Sequence, residues 1–327
     1  MKQRQLGANG PIVSAIGLGC LSFGGIFGDT TDDVSLHCLD AAWDAGITFY
    51  DTANIYGMGR SEIVLGQWLR TRRHPAIVAT KAGFVSTPPR RIDNSESYLR
   101  AELEDSLRRL GLDHVALFYI HRHDQTIPIE DVAGTLSRLI EDGKIGGYGM
   151  SEISPGTLRR AHEVHPCRAV QNEYSLWTRQ PDLGLIQACA ELGTAFVPFS
   201  PLARGALGRD ILAPETLPES EFRRQIPRFQ GVDWQLNRAR IDAFRAYAHD
   251  RNIAPPALAL AWALDQGPHV LPIPGTRTAD HLADWAIASD ITLTAADRAE
   301  IARILPVGWA YGDRYNDDQA GTAERYC

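Results

Sequence analysis

"ITFYDTANIYGMGRSEIVLGQWLRTR", residues 47–72, decides how the whole chain is read. It opens as the apolar run ITFYD, which stops on an acid. After a glycine-containing turn it resumes as SEIVLGQWLRTR, where apolar residues recur at helical spacing. A short buried strand followed by an amphipathic helix is half of a βαβ unit, and its repetition predicts parallel strands covered by helices.

The pattern recurs along the sequence. "AIGLG" (15–19), "AIVATK" (76–81), "VALFYIH" (115–121), "GGYGMS" (146–151), "AVQNE" (169–173), "TAFVPFS" (194–200) and "VLPIPG" (270–275) read as strands, making eight with ITFYD. "VSLHCLDAAWDAG" (34–46), "SESYLRAELEDSLRRLG" (95–111) and "IEDVAGTLSRLIEDGK" (129–144) read as helices between them. Eight units in 327 residues predict a single α/β domain over 1–327, a (β/α)8 TIM barrel with long loops on its C-terminal face. "LGANGPIVS" (6–14), with Asn9-Gly10 as a tight-turn signal, predicts an N-terminal β-hairpin. A doubly wound sheet is the alternative. It wants a G-x-G-x-x-G stretch opening into a helix, and "GLGCLSFGG" (17–25) does not read that way. Residues 203–236 are expected to form a long flap or pocket wall, and 305–327 a tail.

Composition bounds the function. With 33 basic against 40 acidic residues the net charge is −7, which argues against nucleic acid or an anionic membrane as partner. Arg72-Arg73 and Arg90-Arg91 read as solvated surface. No stretch approaches the ~18 apolar residues of a membrane span, and "MKQRQLGANG" has no apolar signal core, so a cytoplasmic location is expected. The five cysteines are scattered without a C-x-x-C pair, which predicts free thiols and no metal site.

In a barrel of this kind functional groups collect at the carboxyl ends of the strands. Asp51, Lys81 and His121 end the second, third and fourth strands, and Tyr56 lies on the loop after the second. Singly, each also reads as a turn residue, a solvated strand end or plain packing. A buried carboxylate at Asp51 requires a cation, and Lys81 is placed to supply it.

These residues carry a resemblance. "GITFYDTANIYGMGRSEIVLG" (46–66), "VQNEYSLWTR" (170–179), "FSPLARGALG" (199–208) and "PIPGTRTADHL" (272–282), with Asp51, Tyr56, Lys81 and His121 in order, resemble the aldo-keto reductase family over essentially the whole length. The resemblance implies a barrel that binds an extended nicotinamide cofactor without a Rossmann domain. It implies Tyr56 as proton donor to a carbonyl oxygen, with Lys81 drawing the phenol's pKa toward working pH and Asp51 holding Lys81. His121 would bond the carbonyl oxygen or relay the proton. His123, a competitor two residues on, is read as a rim or substrate contact.

The cofactor residues follow mostly from the same resemblance. Ser151, Glu152 and Gln171 would fix a carboxamide, although the family commonly has Asn where this chain has Glu152. Phe199 would stack on the nicotinamide, Ser200 and Leu202 would begin the pyrophosphate loop, and Gly275, Thr276 and Arg277 would hold the adenosine phosphate. Asp284 stands where a Glu is usual. Arg277 predicts NADP(H) as cofactor, with NAD(H) possible because no second certain cation follows it. Phe23 and Trp177 are expected beside the substrate, and Trp309, Tyr311 and Tyr315 either line the pocket or dock outside it. The function expected is reduction of an aldehyde, ketone or sugar. Oxidation of an alcohol by the same residues and a cofactor-binding regulatory subunit are the alternatives.

Overall fold

The computed structural model describes residues 1–85, 91–219 and 221–326. Arg90 and Cys327, read above as surface and free thiol, lie outside the described residues. β1 (Gln3–Gln5) and β2 (Ile12–Ser14) pair antiparallel as the expected hairpin. The barrel wall follows as β3 (Leu18–Gly19), β4 (Phe49–Asp51), β5 (Ile77–Ala82), β8 (Leu117–Ile120), β9 (Tyr148–Ser151), β10 (Ala169–Gln171) and β11 (Ala195–Phe196), parallel and neighbours in that order. A two-strand ribbon, β6 (Phe84–Val85) with β7 (Arg91–Ile92), projects after β5.

The eighth position is filled by residues 270–275, which close the barrel without forming a regular ladder. Leu271 and Ile273 donate their N–H groups to Phe196 and Pro198 at 2.8 and 3.0 Å. On the other side, the carbonyls of Pro272 and Pro274 accept from Gly17 and Gly19, both at 3.0 Å. Proline has no N–H to return, so this seam is bonded in one direction only.

Strand periodicity sorts the side chains. Inward positions Phe49, Ala79, Leu117, Tyr119, Ala169, Ala195, Val197, Leu271 and Ile273 form a core inside the barrel, with Leu6 and Val13 of the hairpin packed against it. Outward positions Tyr50, Val78, Phe118, Ile120, Val170 and Phe196 join the larger core beneath the helices. One more step of two along the inward series reaches Asp51, Lys81, His121, Gln171 and Phe199, at the carboxyl ends.

Helices cover the wall: α1 (Asp32–Asp44), α2 (Arg60–Arg72), α3 (Glu96–Leu110), α4 (Ile129–Glu141), α5 (Pro155–Val164) and α6 (Leu185–Leu192). Thr31, Ser95 and Ser154 cap α1, α3 and α5 by accepting the N–H of Val34, Tyr98 and Thr157, and Gly111 ends α3 in a left-handed conformation. After β11 the chain departs from the expected long loop. The described residues of 203–230 hold only short 3-10 turns, but α7 (Gly231–Asp250) begins inside the predicted segment and α8 (Pro255–Leu264) follows. The final short elements are α9 (Ala279–Ala283), α10 (Ala295–Ile304) and α11 (Asp317–Ala320). Among the described residues no helix is long and apolar enough to cross a membrane. Arg72, Arg73 and Arg91 are exposed, and Cys20, Cys38, Cys167 and Cys189 are free and buried.

Leu117 is fully enclosed inside the barrel. Leu117→Ala is expected to lower unfolding free energy by about 2–5 kcal/mol, read from reversible denaturant unfolding, because the closed wall cannot collapse into the space left behind.

Candidate active site

The inward strand ends open into a cavity of about 930 Å³ lined by Asp51, Tyr56, Phe84, His121, Ser151, Gln171 and Phe199, among others. Beneath it the ammonium of Lys81, fully buried, donates to Asp51 Oδ1, to the carbonyl of Thr52 at 2.8 Å and to the Tyr56 hydroxyl at 3.4 Å. Asp51 Oδ2 accepts from Gln171 Nε2 at 2.9 Å, so both carboxylate oxygens are satisfied. The ring of Tyr119 lies 5.7 Å from the ammonium. His121 meets Tyr56 edge to face at 5.7 Å and Phe84 at 5.0 Å.

The loop carrying Tyr56 is held by close backbone packing. A Cβ on Gly24 would stand 2.5 Å from Gly57 N and 2.7 Å from the Tyr56 carbonyl carbon, so the turn at 20–24 can approach only with glycine there. Ser61 adds a buried tie, bonding Thr52 Oγ1 and the Cys20 carbonyl at 2.8 Å each.

Desolvation works against every charge at this point. It disfavours the Lys81 ammonium, but Asp51 and Tyr56 outweigh it, and the pKa lies above its ordinary value. For Tyr56 desolvation dominates. The Lys81 charge pulls its pKa down, yet the phenol remains above its ordinary value. The expectation that Lys81 would bring the phenol toward neutrality therefore holds for that contribution and fails for the sum. At neutral pH Tyr56 is a protonated phenol held against a cation, which is an arrangement for giving a proton.

Ser151, Gln171, Phe199, Ser200 and Leu202 line the same cavity, and Gly275, Thr276, Arg277 and Asp284 line its far end. Arg277 Nη1 donates to the Asp29 carbonyl at 3.4 Å, and among the described residues no carboxylate pairs with it. The long loop brings charged groups to the residues after Arg277. Arg209 reaches Asp284 at 3.4 Å, and Asp210 reaches His281 at 3.5 Å. Arg204 to Leu217 and Phe222 to Arg223 contribute much of the cavity wall. Among the described residues no group of His, Cys, Asp and Glu could hold a metal ion.

Four predicted contacts are elsewhere. Glu152 turns its carboxylate away from the cavity: Oε1 accepts the N–H of Glu173 at 2.8 Å and Oε2 pairs with Arg314 of the tail. Phe23 is fully buried in the outer core, because the 3-10 turn at Cys20–Gly24 points it inward. Trp177 is buried against Phe229 at 5.3 Å and Trp309 at 5.6 Å. His123 is tied to Glu324 at 2.9 Å and to the Ile127 carbonyl at 3.1 Å. Of the tail aromatics, Tyr315 lines the cavity, Trp309 docks on the Leu176 carbonyl at 2.6 Å, and Tyr311 is exposed.

Sequence reasoning missed a buried charge cluster beside the site. Glu173 pairs with Arg204 at 2.8 Å and Arg314 at 3.1 Å, and the Tyr315 ring lies 4.8 and 4.6 Å from those two guanidinium groups. Burial would raise the Glu173 carboxyl, but Arg204, Arg314 and Arg228 together hold it below its ordinary value. Arg122, passed over between two histidines, also lines the cavity. Its only signal in the sequence was its place directly after His121.

The chain matches the aldo/keto reductase family model over residues 15–306. It is 38% identical over 315 residues to probable aldo-keto reductase 1 of Glycine max, covering 95% of this chain and 91% of that one. It is 36% identical over 311 residues to aldo-keto reductase yakc [NADP(+)] of Schizosaccharomyces pombe, covering 93% and 92%. Among solved structures, glycerol dehydrogenase AKR11B4 of Gluconobacter oxydans matches with TM-score 0.84 at 30% identity, covering 93% of this chain and 94% of that one. The holo form of aldo-keto reductase AKR11C1 of Bacillus halodurans matches with TM-score 0.76 at 27% identity, covering 97% and 99%. With the barrel and the buried Asp51–Lys81 pair beneath Tyr56 already in view, the chain belongs to the aldo-keto reductase family, oxidoreductases that act on carbonyl and alcohol groups.

Proposed function

We propose that this chain reduces aldehydes or ketones with NADP(H), with Tyr56 giving the proton. The observation that carries the reading is the convergence of the Tyr56 hydroxyl, the Lys81 ammonium and the His121 ring at the floor of one cavity. When bound, the cofactor supplies a hydride to the carbonyl carbon. The electron pair of the C=O bond then moves to oxygen, which takes the Tyr56 proton. Lys81 stabilises the phenolate left behind, Asp51 fixes Lys81, and solvent restores the proton. His121 stands beside Tyr56 to orient the carbonyl oxygen.

The cavity fits the cofactor in its chemistry. Ser151 and Gln171 offer amide partners at one end, and Arg277 offers a guanidinium without a carboxylate partner among the described residues at the other. The S. pombe relative is named for NADP(+), in keeping with a phosphate-binding Arg277. The glycerol dehydrogenase among the structural relatives supports the reverse direction as a second reading, because the same groups would take the proton from an alcohol.

Turnover of an aldehyde and ketone panel, followed by nicotinamide absorbance, tests the reading. Tyr56→Phe is expected to cut the chemical step at least ~10²-fold while cofactor titration is preserved, and undiminished turnover would remove Tyr56 from the role. The pH dependence has a definite sign. A phenol whose pKa is raised keeps its proton below its ordinary value of about 10, so reduction should stay level through neutrality and decline only in strong alkali, whereas alcohol oxidation should climb with pH. Rate profiles in both directions check this. Arg277→Ala should raise KM for NADP(H) about tenfold and leave that for NAD(H) nearly unchanged, and an equal effect on both would exclude a 2′-phosphate contact.

A further inference from the structure

Arg122 is a guanidinium only 8% exposed, set in the cavity wall directly after His121. Its Nη1 donates to the His121 carbonyl at 2.6 Å and to Ser151 Oγ at 3.2 Å, and its Nη2 donates to the Tyr315 hydroxyl at 3.3 Å. All three partners are neutral. Its Nε has no hydrogen-bond partner. Nε is enclosed by the protein, so of the five N–H donors of a guanidinium the one left for a partner in the cavity is on Nη2.

Among the described residues no carboxylate pairs with this charge. The nearby acids are engaged elsewhere: Asp51 with Lys81, Glu152 with Arg314, Glu324 with His123. Of the neighbouring guanidinium groups, Arg204 is compensated by Glu173 and Arg314 by Glu152 and Glu173, whereas Arg228 donates to the neutral oxygens of Gly312, Trp177 and Thr178. A buried cation without an acid is costly, and a carboxylate brought into the cavity would offset that cost. The Phe84 ring, 5.5 Å from the guanidinium, gives it an apolar flank.

We propose that Arg122, oriented by Tyr315, binds a carboxylate on the substrate, so that the preferred substrates are carbonyl compounds bearing a carboxylate a few atoms from the C=O group. The inference rests on Tyr56 marking the carbonyl position. Arg122 bonds the carbonyl of His121, whose ring meets Tyr56 at 5.7 Å, and all three line one cavity, which places the carboxylate subsite beside the reacting end.

Matched pairs test it: 4-oxobutanoate against butanal, and 4-carboxybenzaldehyde against benzaldehyde, each with NADP(H). The wild type should favour the charged member, and Arg122→Met should lower the charged-to-neutral ratio of kcat/KM about tenfold or more. Intrinsic reactivity cancels in that comparison. Arg122→Lys, which keeps the charge and loses the planar guanidinium, should fall between. A ratio unchanged while both rates drop would overturn the proposal and make Arg122 an electrostatic aid to Tyr56. A wild type indifferent to the carboxylate in both pairs would overturn it as well. If Arg122→Met does not fold, inhibition of the wild-type NADP(H) complex decides: butyrate competing with butanal where butyramide does not supports the subsite, and equal inhibition overturns it. Reduction of neutral aldehydes without a carboxylate preference would leave the proposed function standing, whereas no turnover of any pair would remove both.

Discussion

A fully buried ammonium must be compensated, and the way Lys81 is compensated governs the centre of this molecule. An ion removed from water loses several kcal/mol of solvation, which returns only through close, well-directed partners. Lys81 has a carboxylate, a backbone carbonyl and a phenol around it. Each of those partners is in turn fixed by the barrel: Asp51 by its inward position at the end of β4, Thr52 by its N–H bond to Ala79, Tyr56 by the glycine contact at Gly24 and Gly57. Removing Asp51 or Lys81 alone leaves an uncompensated charge worth about 3–5 kcal/mol. The Tyr56 phenol is thus positioned by the same interactions that make the buried cation tolerable.

A second set of charges performs a comparable task at the neighbouring strand ends. Glu152 follows β9 with a positive φ of 57°, and Glu173 follows β10. Together they bind Arg314 from the tail and Arg204 from the loop after β11. The loop is itself strained, with Ser200, Ala203 and Arg204 all in the left-handed region, a conformation that costs free energy unless its surroundings enforce it. The Arg204–Glu173 pair supplies that enforcement. Tail and loop are therefore fastened to one another through the barrel rim, and Tyr315 reaches the cavity because Arg204 and Arg314 flank its ring.

The barrel was legible because its signal is periodic and repeated. Seven of the eight wall segments appear as strands overlapping their expected bounds, and Asp51, Lys81 and His121 were singled out by their place at strand ends, whereas Gln171 came mostly from the family resemblance. The segments around Ala195 and Val270 carry less regular pairing because Pro198, Pro272 and Pro274 interrupt it. What was not legible depended on partners distant in sequence. Glu152 looked like a cofactor contact until Arg314, 162 positions later, proved to claim its carboxylate. Phe23, Trp177 and His123 are the residue types that line pockets, but type does not say which way a turn or a tail will face them. Arg122 was hidden by its neighbours, since a polar residue between two histidines offers no pattern of its own.

The one-directional seam at residues 270–275 has a consequence for the chain before the barrel is shut. An open parallel sheet ends in two unpaired edges, and an edge with alternating donors and acceptors is a template for pairing with other molecules. Here the edge that will face β3 presents the carbonyls of Pro272 and Pro274 and no N–H at either position. A foreign strand gains little there, because half of the reciprocal bonds cannot form. The chain's own Gly17 and Gly19 need only acceptors, which this edge provides. The two prolines that weaken the closed wall thus also blunt one of the two edges of the unclosed one.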